Sequence, residues 1–485
     1  MKKNKKPNIV IITADQWRGD CLGLYNNQHP VMTPHVNQLA AEGINFREAY
    51  ADCPVCMPQR LTMLTGQVAS NFGETNNFHK RASIDSDHCL PRILTREGDY
   101  QTKAVGKMHF YPERARFGFE HISLHPNDYV NWLEETEYAG MYRGHGLGGN
   151  EVYPTVNAVP EKYTHTHWII DESIEFLSRR DPEHPFFLWM VFEEPHSPFD
   201  PPEPYDRMYE NISVSSPLIP EWDPEEISMI GNKRKAFKYD HLTEEMLIET
   251  RKKYYGQISH IDYQLGRFLG ELKTKGLYED TIIIFTADHG EHLGDYGTFG
   301  KNTYLRGSAN VPLIIRFPQK FSPAEDVYEI DQPVLTADIF PTLMNYLDIN
   351  HETETDGISL LNYISEENTI NDRTICGEYG NNDGTAFATD GEFKYIYYGI
   401  EGREQLFDIK NDPDDLINLS SDNQYHDIKL KLKNELINYL DKHGSSKVKQ
   451  DSLVEVSPEI DEKKLKRQNP YAWRGPMRYN QGYYG

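Results

Sequence analysis

The chain has 485 residues, with 50 lysine plus arginine residues against 75 aspartate plus glutamate residues, and a formal net charge of −25. This length predicts a large catalytic domain with a smaller second one, and 38% hydrophobic residues are enough for a sizeable core. The acidity argues against nucleic acids and anionic membranes as partners, because both require a basic field, whereas a small anionic substrate needs only a local cluster of positive charge.

The cysteines and the N-terminal residues indicate a reducing compartment. Five cysteines are an odd and sparse set for this length, which disfavours a disulfide framework. The basic residues at the start precede an apolar run of only residues 9–12, shorter than the core of a secretory signal, and no window approaches the roughly 20 apolar residues of a membrane span. We therefore expect a soluble, cytoplasmic protein.

Short continuous apolar runs predict buried strands of a parallel sheet. They lie at residues 8–13, 102–105, 186–192, 281–286 and 311–317. Between them, Thr33 followed by Pro34 predicts the start of a helix, and apolar residues spaced by three and four over 258–272 predict an amphipathic helix that ends near Gly276. This alternation of strand and helix predicts an α/β fold with a mostly parallel sheet between layers of helices.

The pattern changes after residue 357. Residues 393–398 and 405–409 predict strands and residues 425–440 predict a helix, which together indicate a smaller α+β domain with an antiparallel sheet. The last forty or so residues are charged and then rich in tyrosine and tryptophan, which predicts an arm that packs on the body or on a second copy in a homo-oligomer. The predicted divisions are 1–365 for the catalytic domain, 366–445 for the C-terminal subdomain and 446–485 for the aromatic-rich arm.

Polar side chains follow four of the predicted strands. They are Asp15 and Gln16, Lys107 and His109, Glu194 and His196, and Asp288 and His289. One polar residue after a strand is usually an ordinary loop residue, but four such positions together predict a ligand site at the carboxyl edge of the sheet. The residues after the first and last of these strands, Asp15, Gln16, Asp288 and His289, offer mostly oxygen donors. Such a set suits Ca²⁺ or Mg²⁺, and the imidazole leaves Mn²⁺ open. Four cationic or imidazole side chains would then surround an anion lying against the metal, namely Lys107, His109, His196 and Lys301.

A cysteine pair raises a choice between metal or redox chemistry and nucleophilic chemistry. Cys53 and Cys56 form a Cys-x-x-Cys pair, but no second pair exists and the later cysteines fit no zinc module, which disfavours a zinc or redox site. Pro58 and Gly66 instead predict the start and end of a short helix, which places Cys56 at its N-terminus, where backbone amides favour anions. Arg60, in the first turn, can hold such an anion bidentately.

An ordered set of motifs resembles the sulfatase family. The family signature, cysteine-x-proline-x-arginine followed by leucine-threonine-glycine, is matched by Cys56, Pro58, Arg60 and residues 64–66. The resemblance continues at residues 106–109 (GKMH), 195–198 (PHSP), 288–291 (DHGE), Lys301 and 405–419. It covers about residue 7 to about residue 420 in the family's order and implies an alkaline phosphatase-like fold with a large mixed, mostly parallel sheet.

The resemblance implies that Cys56 is oxidised to formylglycine by a separate formylglycine-generating or sulfatase-maturating enzyme. A hydrated aldehyde is a geminal diol, in which a metal lowers the pKa of one hydroxyl so that it can attack sulfur. The second hydroxyl then expels sulfate from the covalent intermediate, a step that a thiol cannot perform. The implied ligands of the metal, most readily Ca²⁺ with Mg²⁺ or Mn²⁺ as alternatives, are Asp15, Gln16, Asp288, His289 and the modified Cys56.

The resemblance also assigns roles to the remaining site residues. It implies that Arg60 stabilises the formylglycine and that Lys107 and Lys301 neutralise charge on the sulfate oxygens. His109 and His196 match residues of proton transfer and substrate contact, and His196 is the candidate acid for the leaving oxygen.

Two residues depart from the family's usual pattern. Gln59 replaces the most common serine of the signature, and Gln16 stands where most sulfatases have a second aspartate, as in phosphonate monoester hydrolases and some choline-type sulfatases. An amide removes one negative charge beside the metal, which favours a more highly charged phosphoryl ligand. The leading prediction is a formylglycine-dependent sulfatase that cleaves a small sulfate monoester such as a sulfated sugar. The alternatives are a phosphonate monoester hydrolase or phosphodiesterase with the same nucleophile and, more remotely, a non-enzymatic binding protein on the same fold.

Overall fold

The computed structural model describes residues 6–25, 29–73, 75–77, 84–318, 329–364, 372–380 and 384–456. The strands of these residues are β1 (Asn8–Asp15), β2 (Ile44–Phe46), β3 (Ala49–Tyr50), β4 (Gln101–Gly106), β5 (His121–Leu124), β6 (Phe186–Pro195), β7 (Thr281–Ala287), β8 (Leu313–Arg316), β9 (Glu329–Ile330), β10 (Val334–Leu335), β11 (Ile375–Tyr379), β12 (Thr385–Thr389), β13 (Phe393–Tyr398), β14 (Arg403–Asp408), β15 (Val448–Lys449) and β16 (Ser452–Leu453). Their α-helices are α1 (Pro34–Ala41), α2 (Cys56–Thr65), α3 (Leu90–Gly98), α4 (Asn127–Glu134), α5 (His165–Arg179), α6 (Ser228–Ala236), α7 (Glu244–Thr274), α8 (Arg306–Ala309), α9 (Ile339–Tyr346), α10 (Leu361–Ile364) and α11 (His426–Lys442).

The large sheet has eight strands in the order β5-β4-β6-β1-β7-β8-β2-β9. The five strands from β5 to β7 in this order run parallel to one another. This arrangement, with helices on the sheet, confirms the predicted α/β fold with a large, mostly parallel sheet. Every residue of β1 is buried, as expected for a central strand covered on both faces.

The prediction that residues 311–317 form a parallel strand is wrong in its direction. β8 pairs antiparallel with both β7 and β2. The chain between β7 and β8 contains a single α-helix, the four-residue α8. This connection does not carry the chain back to the end of the sheet at which β7 begins. A parallel pairing needs such a crossover. The apolar run predicts burial but carries no information about strand direction.

The two helices predicted from the sequence are present. α1 begins at Pro34, directly after Thr33, and its buried face includes Val36 and Leu39. The apolar residues of 258–272 lie in the second half of α7, which ends at Thr274, close to the predicted Gly276. α7 packs against β6 and against α5, so it covers one face of the parallel part of the sheet.

The C-terminal sheet consists of the antiparallel strands β11 to β14 in sequential order, as predicted. One face packs against α11 through buried leucines such as Leu432 and Leu436. The other face meets the body of the molecule, where the ring of Phe387 stacks on that of Tyr304 at 4.2 Å. The C-terminal strands therefore share a hydrophobic cluster with residues of the large domain.

Two predictions fall largely outside the described residues. The boundary between 365 and 366 lies in the undescribed stretch 365–371, and most of the aromatic-rich arm, 457–485, is also outside the described residues. The division into domains and the packing of the arm therefore stay predictions. Among the residues that the structure describes, no helix has both the length and the apolar character needed to cross a membrane.

Candidate active site

The carboxyl ends of four adjacent strands supply the centre of the site. β4, β6, β1 and β7 are neighbours in the sheet, and each ends beside a residue singled out from the sequence. Asp15 is the last residue of β1, Lys107 directly follows β4, His196 directly follows β6 and Asp288 directly follows β7. The predicted convergence at one edge of the sheet is therefore present.

Cys56 is the first residue of α2, which begins two residues before the predicted Pro58 and ends at Thr65, directly before the capping residue Gly66. Its Sγ lies 3.1 Å from Nε2 of His289 and 3.8 Å from Oδ1 of Asp15. Because Gly66 has a φ of 71°, its backbone adopts the left-handed conformation that glycine tolerates best. The helix thus places the sulfur of Cys56 directly at the strand edge.

Gln59, the departure in the signature, lies inside α2 and away from the cluster around Cys56. Its amide nitrogen donates to the hydroxyl of Thr336, and its amide oxygen accepts a hydrogen bond of 3.1 Å from the backbone of Cys53. Both side-chain groups are therefore occupied in tying α2 to neighbouring segments.

Four side chains have the donor atoms and spacing of a metal site. They are Asp15, Cys56, Asp288 and His289, whose ligand atoms all lie within 4.8 Å of one another. Burial lowers the pKa of His289 to about 4, which leaves a neutral imidazole. Burial raises the pKa of Asp15, but the charge of Lys107 and other cations outweighs it and holds that pKa well below its usual value. An ionised carboxylate and a neutral imidazole are the forms that bind metal, so the donors fit a divalent ion.

The side-chain amide of Gln16 bonds to residues outside these four possible ligands. Its Oε1 accepts a hydrogen bond of 2.7 Å from Nζ of Lys301, and its Nε2 donates to Glu291. Its backbone N–H donates to Oδ1 of Asp288 at 3.1 Å. The amide oxygen has two lone pairs, so the bond from Lys301 leaves one for a metal. The structure thus adds Glu291, which the sequence analysis did not identify, as the group that orients Gln16.

Arg60 lies behind the two carboxylates and is completely buried. Its Nη2 donates to Oδ2 of Asp15 at 2.8 Å and to Oδ2 of Asp288 at 2.7 Å, and its Nε donates to the same oxygen of Asp288 at 3.0 Å. The Oδ1 atoms of Asp15 and Asp288 lie 3.5 Å and 3.6 Å from Nε2 of His289. One guanidinium therefore holds both carboxylates with their remaining oxygens facing the imidazole, a positioning role of the kind that supports metal ligands.

Lys107 connects the metal cluster to a neighbouring acidic group. Its Nζ lies 2.8 Å from Asp15 and 3.4 Å from Glu193, which in turn accepts from Arg143 at 3.0 Å. Burial lowers the pKa of Lys107, but Asp15 and Glu193 outweigh it and raise that pKa, so the ammonium stays charged. Glu193 and Arg143 were missed in the sequence. The signal for Glu193 was its place among ten consecutive buried residues, where a carboxylate needs a partner.

His196 and Lys301 form a second polar pair at the edge of the site. Nζ of Lys301 donates to Nε2 of His196 at 2.9 Å, while Nδ1 of His196 donates to the backbone oxygen of Ser197 at 2.8 Å. Burial, reinforced by the charge of Lys301, holds the pKa of His196 well below its usual value. At neutral pH the imidazole of His196 is therefore neutral and accepts the hydrogen bond from Lys301.

His109 is hydrogen-bonded to Cys56, and this bond opposes the lowering of the pKa of His109 by burial. His196 and Lys301 are connected to the cluster around Cys56 through Gln16, because Lys301 contacts Gln16 and His196 contacts Lys301. Glu194, which was predicted to follow a strand, lies inside β6 and bonds to Thr166 and His260 instead.

Two cavities border these residues. One is lined by His196 and Glu193 together with the polar side chains of Arg143, Asn157 and Asp200. The other is lined by Lys107 and His109 among others. Polar and charged side chains of the site therefore face open space on two sides.

Comparison with known families gives two matches. The model of the family described as Sulfatase matches residues 7–349. The model described as N-sulphoglucosamine sulphohydrolase, C-terminal, matches residues 294–442. Together they extend over the large sheet, the site and the C-terminal sheet.

Individual relatives agree with this. An arylsulfatase of Clostridium perfringens is 34% identical over 448 residues, which cover 87% of this chain and 91% of the relative. A choline-sulfatase of Rhizobium meliloti is 28% identical over 444 residues, covering 86% of this chain and 82% of the relative. Among solved structures, the phosphonate monoester hydrolase of Agrobacterium radiobacter superposes with a TM-score of 0.77 at 26% identity, covering 93% of this chain and all of the other.

Proposed function

Because the chain belongs to the sulfatase family and is a hydrolase of sulfate esters, we propose that its nucleophile is a formylglycine made from Cys56 by a separate maturation enzyme and that it acts with a divalent metal. The observation that carries the proposal is the position of Cys56. Its sulfur lies at the N-terminus of α2, 3.1 Å from His289 and within 4.8 Å of the carboxylates of Asp15 and Asp288. A nucleophile made at this residue is in reach of a metal held by its neighbours.

The proposed metal ligands are Asp15, Gln16, Asp288, His289 and the modified Cys56. When bound, a divalent ion polarises sulfate oxygens and lowers the pKa of the attacking hydroxyl. Ca²⁺ is the ion we propose, with Mg²⁺ and Mn²⁺ as alternatives, because most of these ligands are oxygens. Arg60 keeps Asp15 and Asp288 in place through its hydrogen bonds of 2.7 to 3.0 Å, so this part of the site is ordered before a substrate arrives.

Charge and proton supply come from the lysines and histidines. We assign Lys107 and Lys301 to the sulfate oxygens, where two ammonium groups offset negative charge as it develops. His196 and Lys301 act as a pair towards the leaving oxygen, because Nζ of Lys301 donates a hydrogen bond of 2.9 Å to the neutral imidazole. His109 beside Cys56 serves the same purpose at the nucleophile.

The substrate we propose is a small sulfate monoester, such as a sulfated sugar. The cavity next to His196 is lined by hydrogen-bonding side chains, including Arg143, Asn157 and Asp200, which match the hydroxyl groups of a sugar. The match of residues 294–442 to a C-terminal family of N-sulphoglucosamine sulphohydrolases supports the same class.

All five cysteines are unpaired, consistent with the reducing, cytoplasmic location we propose. The net charge of −25 argues against a nucleic acid or a membrane as partner, and the C-terminal arm remains the proposed contact of a homo-oligomer.

Peptide mass spectrometry tests the nucleophile directly. Cleavage after Arg47 and Arg60 releases residues 48–60, which contain both Cys53 and Cys56. After co-expression with a maturation enzyme, fragment ions should show an aldehyde at Cys56, with sulfur and two hydrogens lost for one oxygen gained, and an intact thiol at Cys53. A preparation that hydrolyses nitrophenyl sulfate with an unmodified Cys56 would overturn the proposal.

A phosphonate monoester hydrolase or phosphodiesterase with the same nucleophile is the second candidate. The observation that favours it is Gln16, a neutral side chain beside the ligand set that shares its amide oxygen with Lys301. The likeness to the phosphonate monoester hydrolase of Agrobacterium radiobacter points the same way. Turnover of nitrophenyl sulfate and of nitrophenyl phenylphosphonate by one preparation separates the two, since a clear preference for the phosphonate contradicts the first proposal.

A further inference from the structure

A second group of buried side chains, of the types that bind metals, lies next to the site and is separated from it by Lys107. It consists of His125, His165, Glu193 and Glu194, here called the histidine–glutamate cluster. The ligand atoms of the first three all lie within 4.8 Å of one another. Lys107 links this cluster to the site, because its Nζ contacts Asp15 as well as Glu193.

Two polar groups of the cluster are buried without a hydrogen-bond partner among the described residues. Both ring nitrogens of His125 lack one, although its side chain is fully buried. Oε1 of Glu194 also lacks one. Such groups cost free energy and are rare in native interiors, so a pair of them in one place indicates a missing ligand.

Nε2 of His125 and Oε1 of Glu194, both orphaned, face other members of the cluster. Nε2 of His125 lies 3.4 Å from Oε2 of Glu193, and Nε2 of His165 lies 3.9 Å from that same oxygen. Nε2 of His165 also lies 3.9 Å from Oε1 of Glu194. In a tetrahedral zinc site with bonds near 2.0–2.1 Å, neighbouring ligand atoms are about 3.4 Å apart. These three distances therefore equal that spacing or exceed it by about half an ångström.

The carboxylates of the cluster are already oriented by neighbours. Oε1 of Glu193 lies 3.4 Å from Lys107 and accepts from Arg143 at 3.0 Å, which leaves Oε2 towards the imidazoles. Oε2 of Glu194 lies 2.9 Å from both the hydroxyl of Thr166 and Nδ1 of His260, which leaves Oε1 towards His165. Each carboxylate thus has one oxygen tied by outer partners and one facing the cluster, an arrangement typical of metal ligands.

We propose that the histidine–glutamate cluster is a second divalent-metal site, distinct from the one around Cys56, and that it takes a transition ion such as Zn²⁺. Two imidazoles with carboxylate oxygens suit Zn²⁺, whereas Ca²⁺ prefers an all-oxygen set. The two carboxylates balance the charge of the ion. An ion here also holds Glu193, and through it Lys107, and it faces the cavity that His196 lines.

Metal binding by full-length protein with the first site disabled tests this inference. The background is a Cys56→Ala/Asp288→Asn variant, stripped with a chelator and titrated with Zn²⁺ and then Co²⁺. We expect about one equivalent of Zn²⁺ to bind, and Co²⁺ to produce the visible absorption of an ion with nitrogen ligands. His125→Gln or His165→Gln added to the background should abolish both signals.

A control is needed because Asp20, Cys21 and His29 form another buried group of possible ligands. Cys21→Ala in the same background should leave the Zn²⁺ stoichiometry unchanged. If His125→Gln does not fold, as judged by circular dichroism, His165→Gln serves as the test of the site, since His165 lines the cavity next to His196. The proposal is overturned if the background binds no Zn²⁺, if the folded histidine variants still bind it, or if Cys21→Ala removes it. None of these readouts depends on the proposed hydrolysis.

Discussion

Nζ of Lys301 lies 2.9 Å from Nε2 of His196, and the imidazole accepts the hydrogen bond. Burial and the lysine's charge both lower the pKa of His196, so the imidazole is neutral and depends on its hydrogen bond from Lys301. The prediction that His196 is the acid for the leaving oxygen therefore becomes a prediction about two residues. In the proposed mechanism, removing Lys301 takes away both a charge beside the sulfate and the N–H donor that supplies the imidazole.

We expect Lys301→Met to lower kcat/KM for nitrophenyl sulfate by about 10²- to 10³-fold, the usual cost of removing one such donor. The loss should be larger for an alkyl sulfate, because an alkoxide is a poorer leaving group than nitrophenolate and depends more on protonation. The matched control is Lys233→Met, which removes a neighbouring lysine bonded to Asn302 and should have little effect. Equal losses for both leaving groups would contradict a role in proton supply.

Replacing the nucleophile should abolish hydrolysis while leaving the fold intact. We expect Cys56→Ala to lower turnover of nitrophenyl sulfate by at least about 10³-fold, in line with the loss of a nucleophile in other enzymes. Cys53→Ala is the control, since this equally buried thiol contacts the backbone of Thr75 rather than the ligand cluster. Similar activities of the two variants would contradict the assignment and would favour a binding protein on the same fold.

Removal of the divalent metal should stop turnover and lower the thermal stability. The carboxylates of Asp15 and Asp288 converge on one point, so an ion bound between them stabilises the folded state. Saturation at 100 times Kd stabilises by about 2.7 kcal/mol. We expect a chelator to lower Tm and activity together and Ca²⁺ to restore both in the wild type, with no Tm response to Ca²⁺ in Asp288→Asn. A full Ca²⁺ response in that variant would place the ion elsewhere.

Substitution of Gln16 should change the preference between sulfate and phosphonate esters. Gln16→Asp adds a negative charge beside the ligand set. Both esters are monoanions, but the phosphonate shares its charge over two non-bridging oxygens and the sulfate over three, so each phosphonate oxygen is repelled more strongly. We expect the ratio of kcat/KM for nitrophenyl phenylphosphonate over nitrophenyl sulfate to fall. Gln16→Asn, which shortens the side chain without adding charge, controls for geometry. A fall of equal size in Gln16→Asn would show that length rather than charge sets the preference.

The stability of the fold should depend on pH through Asp262. This residue of α7 accepts from the backbone N–H groups of His35 and Val36 at 3.1 and 2.8 Å, at the start of α1. Burial nevertheless raises the pKa of Asp262 to about 7. The folded state thus holds a proton that the unfolded chain loses near pH 4, so this stabilisation is complete below about pH 4 and is lost as the pH rises through about 7.

In Asp262→Asn the side chain stays neutral at every pH and keeps an acceptor oxygen. We therefore expect the Tm of this variant, relative to the wild type, to rise between about pH 4 and pH 7 and to level off above that. Each unit of pKa shift corresponds to about 1.4 kcal/mol. Asp441→Asn, at an exposed position of α11, should show no such trend. A flat difference for Asp262→Asn would mean that the carboxylate is ionised in the folded protein.

Much of the fold was predictable from local pattern. The continuous apolar runs predict strands that are buried on both faces, and β1, β6 and β7 are fully buried. The direction of β8 was not predictable, since the same apolar pattern suits either direction and the short connection from β7 decides it. The apolar pattern of a segment predicts that it is buried, whereas the direction in which it pairs depends on how the connection returns the chain to the sheet.

The candidate site divides in the same way. The polar residues after the strands could be identified from the sequence, because parallel strands deliver their carboxyl ends to one edge. The orientation of Arg60 behind Asp15 and Asp288 could not, because those contacts join segments 45 and 228 residues apart. The same holds for the contact of Gln16 with Lys301, across 285 residues.

Residue type and spacing were enough to identify the chemical groups that this protein brings to the edge of its sheet and to place Cys56 at the start of its helix. Folding was needed to place Glu193 between Lys107 and Arg143, to make the imidazole of His196 an acceptor for Lys301, and to bury His125 beside a carboxylate. The physical reason is that residue type and local spacing specify what a side chain can do. Its pKa and its partners depend on burial and on charges from distant parts of the chain, which exist only after folding.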